Sequence, residues 1–289
     1  MQIKIYSPAK INLTLDALSR REDGYHELCM IMQTVSLYDS ITIRRIRSGL
    51  QVKTNLYYLP TDKRNLVYRA AQSFFDQIGQ PPNVFIHVLK RIPVAAGLAG
   101  GSSNAAAVLL GLNKMHGRPI DMPRLLEMGK ELGADVPYCM LGGTQLAEGI
   151  GDKLTKLPAM PQCYMVIVKP SISISTPVIF KGLDVENLQM HPDTVGMMRA
   201  IEQSNLKDIA VRLYNVLETV AIPKYPVIQS IKQSLLDHGA IASVMSGSGP
   251  SVYGIFPGEQ AAKSAMEQMQ KIYRDVFVVH TCGGINIGR

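Results

Sequence analysis

At 289 residues, 46% hydrophobic and 18% charged, the chain has the composition of a globular protein with room for two domains. Its formal charge of +7 favours anionic partners without separating nucleotides, phosphorylated metabolites and nucleic acid. The longest wholly apolar run outside the glycine punctuation, Ala105 to Leu110, falls far short of the roughly 20 residues that cross a bilayer, and the N-terminus lacks the apolar core of a secretory signal, so a cytoplasmic protein is expected.

From Ile3 to Ile43 the pattern has a period of two, as in strands, with Lys10, Asn12, Thr14 and Asp16 alternating against Ile11, Leu13 and Leu15. "SITIRRIRSGLQVKT" predicts a hairpin turning at Ser48-Gly49, with Arg44, Arg45, Arg47 and Lys53 as a solvated basic face. "NVFIHVLKRIPV" reads as a further strand and leads into "IPVAAGLAGGSSNAAAVLLGL", where a helix is expected from near Ser103. A helix follows over "DMPRLLEMGKELGAD", capped by Asp121 and closed by Gly133, and a short element starts at Asp135. Beyond about residue 155 come a strand ("CYMVIVKPS"), a short helix ("STPVIFKGL"), two helical segments between Leu206 and His238, a strand-loop-strand unit, a helix near Glu259 to Ile272 and a last strand. An antiparallel sheet with helices on one side is the natural product, and two α+β domains, 1–154 and 155–289, are expected.

The four cysteines form no CxxC pair and no two of the six histidines have helical ligand spacing, so neither a zinc site nor a disulfide framework is expected. Of the ten residues from Ala95 to Asn104, eight are Gly, Ala or Ser, directly ahead of a helix. Small residues let backbone approach phosphate oxygens, and the free N–H groups of a first helical turn point at them. The same residues would also allow close helix-to-sheet packing. The stretch is no Walker A loop, because Ser102 stands where lysine would be required. Lys10 and Asn12, two apart on a strand, project together, either toward a site or into solvent. Asp135 could cap a helix, and Tyr25 and Phe180 could be packing residues.

"PVAAGLAGGSSNAA" resembles the second motif of the GHMP kinase superfamily, with one extra Gly before Ser-Ser. "SPAKINLTL", "REDGYHEL", "GADVPYCMLGG" and "SGSGPSVYGIF" extend the resemblance, in order, over nearly the whole chain. They point to members whose alcohol substrate carries a cytidine diphosphate. The resemblance implies an N-terminal domain like ribosomal S5 domain 2, a ferredoxin-like C-terminal domain, and a cleft between them. It implies ATP with Mg2+ as cosubstrate, held by Pro93, Val94, Ala95, Ala96, Gly97, Leu98, Ala99, Gly100, Gly101, Ser102 and Ser103. It makes Lys10 and Asp135 catalytic, Asp135 as the base for an alcohol too weakly acidic to lose its proton unaided. Asn12, Tyr25, His26, Thr176 and Phe180 become substrate contacts, with Tyr25 and Phe180 stacking on the cytosine and His26 reading its edge. A small-molecule partner, no nucleic acid or membrane partner, and a monomer or homodimer are expected, with the metal ligands left open. Rival readings are a related kinase for homoserine or mevalonate, which needs no cytosine site, and an RNA-binding module, which would leave Lys10 and Asp135 unexplained.

Overall fold

The computed structural model describes residues 1–287; residues 288 and 289, the end of the second expected domain, lie outside it. Two very long antiparallel strands, β1 (Gln2–Arg20) and β2 (His26–Arg45), dominate the first half. β3 (Gly49–Thr54), α1 (Leu66–Gln77) and β4 (Asn83–Leu89) form a crossover in which β3 and β4 pair in parallel. β4, not β3, lies against β2, so the expected hairpin at Ser48-Gly49 does not form. The chain does turn there, but α1 carries it across and the later strand takes the inner place. Arg44 lies over the Phe85 ring of neighbouring β4, 5.4 Å from its centroid, so part of the basic patch is a cross-strand cation–π pair.

α1 is absent from the expected elements. Asn65 caps it by accepting from the Val67 N–H, and Val67, Ala70, Ala71, Phe74 and Phe75 form its buried stripe. α2 (Gly100–Met115) is almost wholly buried and starts three residues before the expected Ser103. α3 (Met122–Leu132) has its expected Asp121 cap and Gly133 stop. α4 (Asp135–Leu141), β5 (Thr144–Gly149) and β6 (Lys153–Lys156) complete this half.

In the second half, β7 (Tyr164–Lys169) and α5 (Thr176–Lys181) precede α6 (Thr194–Glu202), a helix the sequence reading lacks. α7 (Leu206–Val211), β8 (Tyr214–Asn215), α8 (Glu218–Lys224) and α9 (Val227–Asp237) follow, three helical pieces where two are expected: β8 separates α7 from α8, and α9 starts afresh after Pro226. β9 (Ala242–Met245), β10 (Val252–Phe256), α10 (Glu259–Gln270), β11 (Asp275–His280) and β12 (Asn286–Ile287) close the chain.

The first sheet has the order β12-β1-β2-β4-β3, with β5 and β6 continuing from β2 and β8 pairing β1 in parallel. The second is antiparallel throughout, in the order β11-β7-β10-β9, which is the ferredoxin-like arrangement of four strands. The fold is thus α+β in two parts, as expected, with the sheets sharing a buried seam. Ile11, Leu13, Ile31 and Val35 of the first sheet pack in one cluster with Met165, Ile167, Tyr253 and Ile255 of the second. The fully buried Tyr253 also donates its hydroxyl to the Asn12 carbonyl at 2.9 Å.

Candidate active site

Where the two domains meet, a cavity of about 1050 Å³ opens between the glycine-rich loop, the middle of β1, the start of α4, the turn before β2, and α5. Pro93 to Ser102, Lys10, Asp135, Tyr25, His26, Thr176 and Phe180 all line it. Asn12 and Ser103 do not reach it; both sit behind its wall, 1% and 0% exposed.

The loop takes its shape from left-handed backbone. Ala95, Gly97 and Ala99 have φ of 51°, 73° and 52°. Ala99 is the residue before α2, no side chain caps that helix, and its first turn holds no acidic residue. The start of α2 therefore lines the cavity with no side-chain cap and no acidic residue of its own first turn, as an anion site requires. Two other segments hold the loop. Lys10 N–H donates to the Leu98 carbonyl at 3.1 Å, and the Ser246 hydroxyl donates to the Gly97 carbonyl at 3.0 Å. The "SGSGPS" loop thus packs directly on the glycine-rich loop, and it is itself anchored by Asn215, whose amide donates to Met245 and Gly247 carbonyls, both at 2.8 Å.

Lys10 is 5% exposed, so the solvated-face alternative for Lys10 and Asn12 does not hold. Its ammonium donates to Asn12 Oδ1 at 2.7 Å and stands 4.0 Å from the Asp135 carboxylate. Asn12 is further fixed by its amide contact with Met30 Sδ at 3.4 Å. Asp135 does not cap α4: the residue before the helix is Ala134, and Asp135 is its first member. Its side chain, 35% exposed, is free to face the cavity.

The alternation expected along β1 stops at Asn12. A bulge between Asn12 and Thr14 turns Leu15 toward the cavity, and Asp16 instead meets His191 at 2.9 Å. The Thr14 hydroxyl compensates by accepting from the Ile31 N–H at 3.1 Å.

Among the aromatics, His26 and Phe180 are the paired rings, with centroids 5.2 Å apart and a tilt of 36°. Burial first, then the charge of Arg20, push the His26 imidazole below its ordinary pKa, which favours the neutral ring. Tyr25, 62% exposed, stands at the rim, and Thr176 shares a 2.7 Å hydrogen bond with Ser248, tying α5 to the "SGSGPS" loop. Sequence reasoning missed several wall residues. Asn65 and Leu66 announce themselves only as a helix start, and Lys90 and Asn104 carry no motif of their own.

The chain matches the GHMP kinase N-terminal domain over residues 65–143 and the GHMP kinase C-terminal domain over 197–275. It is 46% identical to the 4-diphosphocytidyl-2-C-methyl-D-erythritol kinase of Caldicellulosiruptor saccharolyticus, with 98% of this chain and 97% of the relative covered. It is 44% identical to that of Clostridium kluyveri, covering 97% and 100%. A crystal structure of 4-(cytidine 5'-diphospho)-2C-methyl-D-erythritol kinase superposes with a TM-score of 0.84 at 33% identity, covering 97% of this chain and all of the other. A homoserine kinase from Cytophaga hutchinsonii shares the fold, with a TM-score of 0.78 at 20% identity over 99% and 97%. The chain belongs to the GHMP kinases and, within them, to the family of 4-diphosphocytidyl-2-C-methyl-D-erythritol kinases.

Proposed function

We propose that this chain transfers the γ-phosphoryl group of ATP to the 2-hydroxyl of 4-diphosphocytidyl-2-C-methyl-D-erythritol, releasing ADP, in the non-mevalonate route to isoprenoid precursors. The observation that carries this reading is what one cavity brings together: a glycine-rich loop at a helix start, the Lys10–Asp135 pair, and the rings of His26, Phe180 and Tyr25. Those three chemistries match a polyphosphate, a reacting hydroxyl and a base. The Asp135 carboxylate takes the hydroxyl proton as the oxygen attacks the γ-phosphorus and ADP departs. Lys10 offsets charge on the migrating group, and Asn12 acts by holding the Lys10 ammonium in place. Loop residues 93–103 cradle the ATP phosphates. Tyr25 and Phe180 bracket the cytosine, neutral His26 reads its polar edge, and Thr176 is a further contact. We keep two domains divided near residues 154 and 155, a division that β6 straddles and across which β8 and β12 return to pair with β1. We place the protein in the cytoplasm as a monomer or homodimer; no helix among the described residues is long and apolar enough to cross a membrane.

Magnesium fits this site as an ion carried by phosphates. It needs only one or two protein oxygens, and the cavity offers those of Asp135 and Ser102, with no cluster of three metal-binding side chains among the described residues. When bound, the ion would neutralise charge on the phosphate oxygens. A coupled ADP-release assay on purified protein, with the cytidyl substrate, homoserine and mevalonate in parallel, tests the reading. Turnover only with the cytidyl substrate is expected, and turnover with another alcohol alone would overturn it.

A further inference from the structure

Asp39 on β2 is fully buried, where an ionisable side chain is costly unless it is paired and hydrogen-bonded. Its Oδ1 accepts the backbone N–H groups of Arg91 at 2.7 Å and Ile92 at 2.9 Å, the two residues immediately before the glycine-rich loop. Its Oδ2 accepts the amide of Asn104, the fifth residue of α2 and the one immediately after that loop, at 2.9 Å, and pairs with the Lys90 ammonium. Lys90 donates in turn to Asn104 Oδ1 at 3.1 Å, and Asn104 reaches Ser7 Oγ on β1 at 2.8 Å. One carboxylate therefore grips both feet of the loop.

We propose that Asp39 is a positioning residue that, through Lys90 and Asn104, sets the shape of the loop that takes the ATP phosphates. This rests on the assignment of that loop to ATP made above. Two physical considerations carry it. A buried ion pair is a poor source of stability, since well-packed apolar groups of similar volume serve as well or better, so geometry is what the cluster supplies. The loop between the two feet holds alanines at φ 51° and 52°, conformations that persist only where the surroundings over-determine them. The Lys90 ammonium also lies against the start of α2, 3.0 Å from where a side chain on Gly100 would begin. Without Asp39 that cation would have one neutral acceptor, Asn104, and would shift toward the loop.

The test is a kinetic split on Asp39→Asn, which keeps an acceptor for the Arg91 and Ile92 N–H groups, and on Asn104→Ala, which frees the α2 foot while leaving the ion pair intact. A displacement near 1 Å costs up to about 100-fold in such sites. We expect KM for ATP to rise about tenfold or more in both variants, with KM for the alcohol within about twofold of wild type. Hydrogen exchange of the ligand-free proteins should show faster exchange at Ala95 to Gly101 and unchanged exchange in β7 and β10. Folded variants with wild-type KM for ATP and wild-type loop exchange would overturn the proposal. If Asp39→Asn does not fold, the doubly neutral Asp39→Asn/Lys90→Met protein is judged by the same two readouts. Wild-type protein that consumes no ATP would refute the loop's assignment, whereas the exchange measurement judges Asp39 by itself.

Discussion

Gly97 sits where the glycine-rich loop meets the "SGSGPS" loop, and Gly97→Ala strains it in two ways. A Cβ there would overlap the Ser246 carbonyl oxygen and come within 3.1 Å of its carbon and 3.2 Å of Gly249 N, all backbone atoms. The φ of 73° adds the left-handed cost of an L-residue, about 1 to 2 kcal/mol, and the overlap adds about 1 to 3 kcal/mol. Restricting the unfolded chain returns about 0.4 to 1 kcal/mol. The expected net loss is about 1 to 5 kcal/mol, or about 2 to 8 °C in Tm for a chain of this size. Scanning calorimetry measures it, with Gly101→Ala as the comparison. Gly101 is helical and a Cβ there would find nothing nearer than Leu66 Cδ1 at 3.6 Å. That variant should melt at or above the wild-type temperature and yet show a raised KM for ATP, because the new methyl stands where phosphate oxygens approach. If Gly97→Ala melts like wild type, the two loops do not hold one another as the contacts imply. If Gly101→Ala binds ATP normally, the loop is a packing device and not a cradle.

Asp135→Asn should cost little stability, because Asp135 is not the cap of α4, its own side chain is partly exposed, and its contact with Lys10 is a long 4.0 Å; turnover should fall about 100-fold or more, read by single-turnover kinetics at unchanged Tm. Phe180→Ala and Tyr25→Ala should each weaken cytidyl substrate binding by about 1 to 3 kcal/mol, seen by titration calorimetry, with ATP binding unchanged. The paired Phe180 should also lower Tm, while the exposed Tyr25 should not. His26 is held below its ordinary pKa, so the unfolded chain binds the proton more readily than the folded one. Its contribution to stability is complete above about pH 6.5 and is lost as pH falls from there through the lowered folded value. His26→Gln should flatten the fall in Tm between pH 7.5 and 5, and an unaltered slope would place the titration elsewhere.

The parts of this site that the sequence announces are those where backbone chemistry dictates composition. The loop at residues 95–103 needs small residues whatever surrounds it, and Asp121 and Gly133 mark the ends of α3 by local hydrogen bonding alone. The start of α2 was less legible because Gly100 and Gly101 read as loop, although the left-handed Ala99 is what ends the loop. The place of β4 between β2 and β3 depends on α1, and strand order is not written in any local period. α1 itself carried the right signal, Asn65 followed by a buried stripe at helical spacing. The alternation through Asp16 failed for a different reason: a bulge costs one residue of register, and only the partner strand reveals it. The pairing of Phe180 with His26 joins residues 154 positions apart, so it rests on the tertiary fold alone.

β8 and β12 have a consequence for synthesis. Both pair with β1, yet β8 lies at Tyr214–Asn215 and β12 at Asn286–Ile287. At ribosomal rates of about 5 to 20 residues per second, β1 leaves the tunnel roughly 10 to 40 s before β8 exists. For that interval one side of a nineteen-residue strand has no partner strand, the condition in which nascent chains cross-pair. The register breaks at Pro8/Ala9, Asn12/Thr14 and Ala17/Ser19 interrupt the strand along its length, and Pro8 offers no N–H at all. The bulge that turns Leu15 toward the cavity therefore also helps to deny a second nascent chain a straight edge to join.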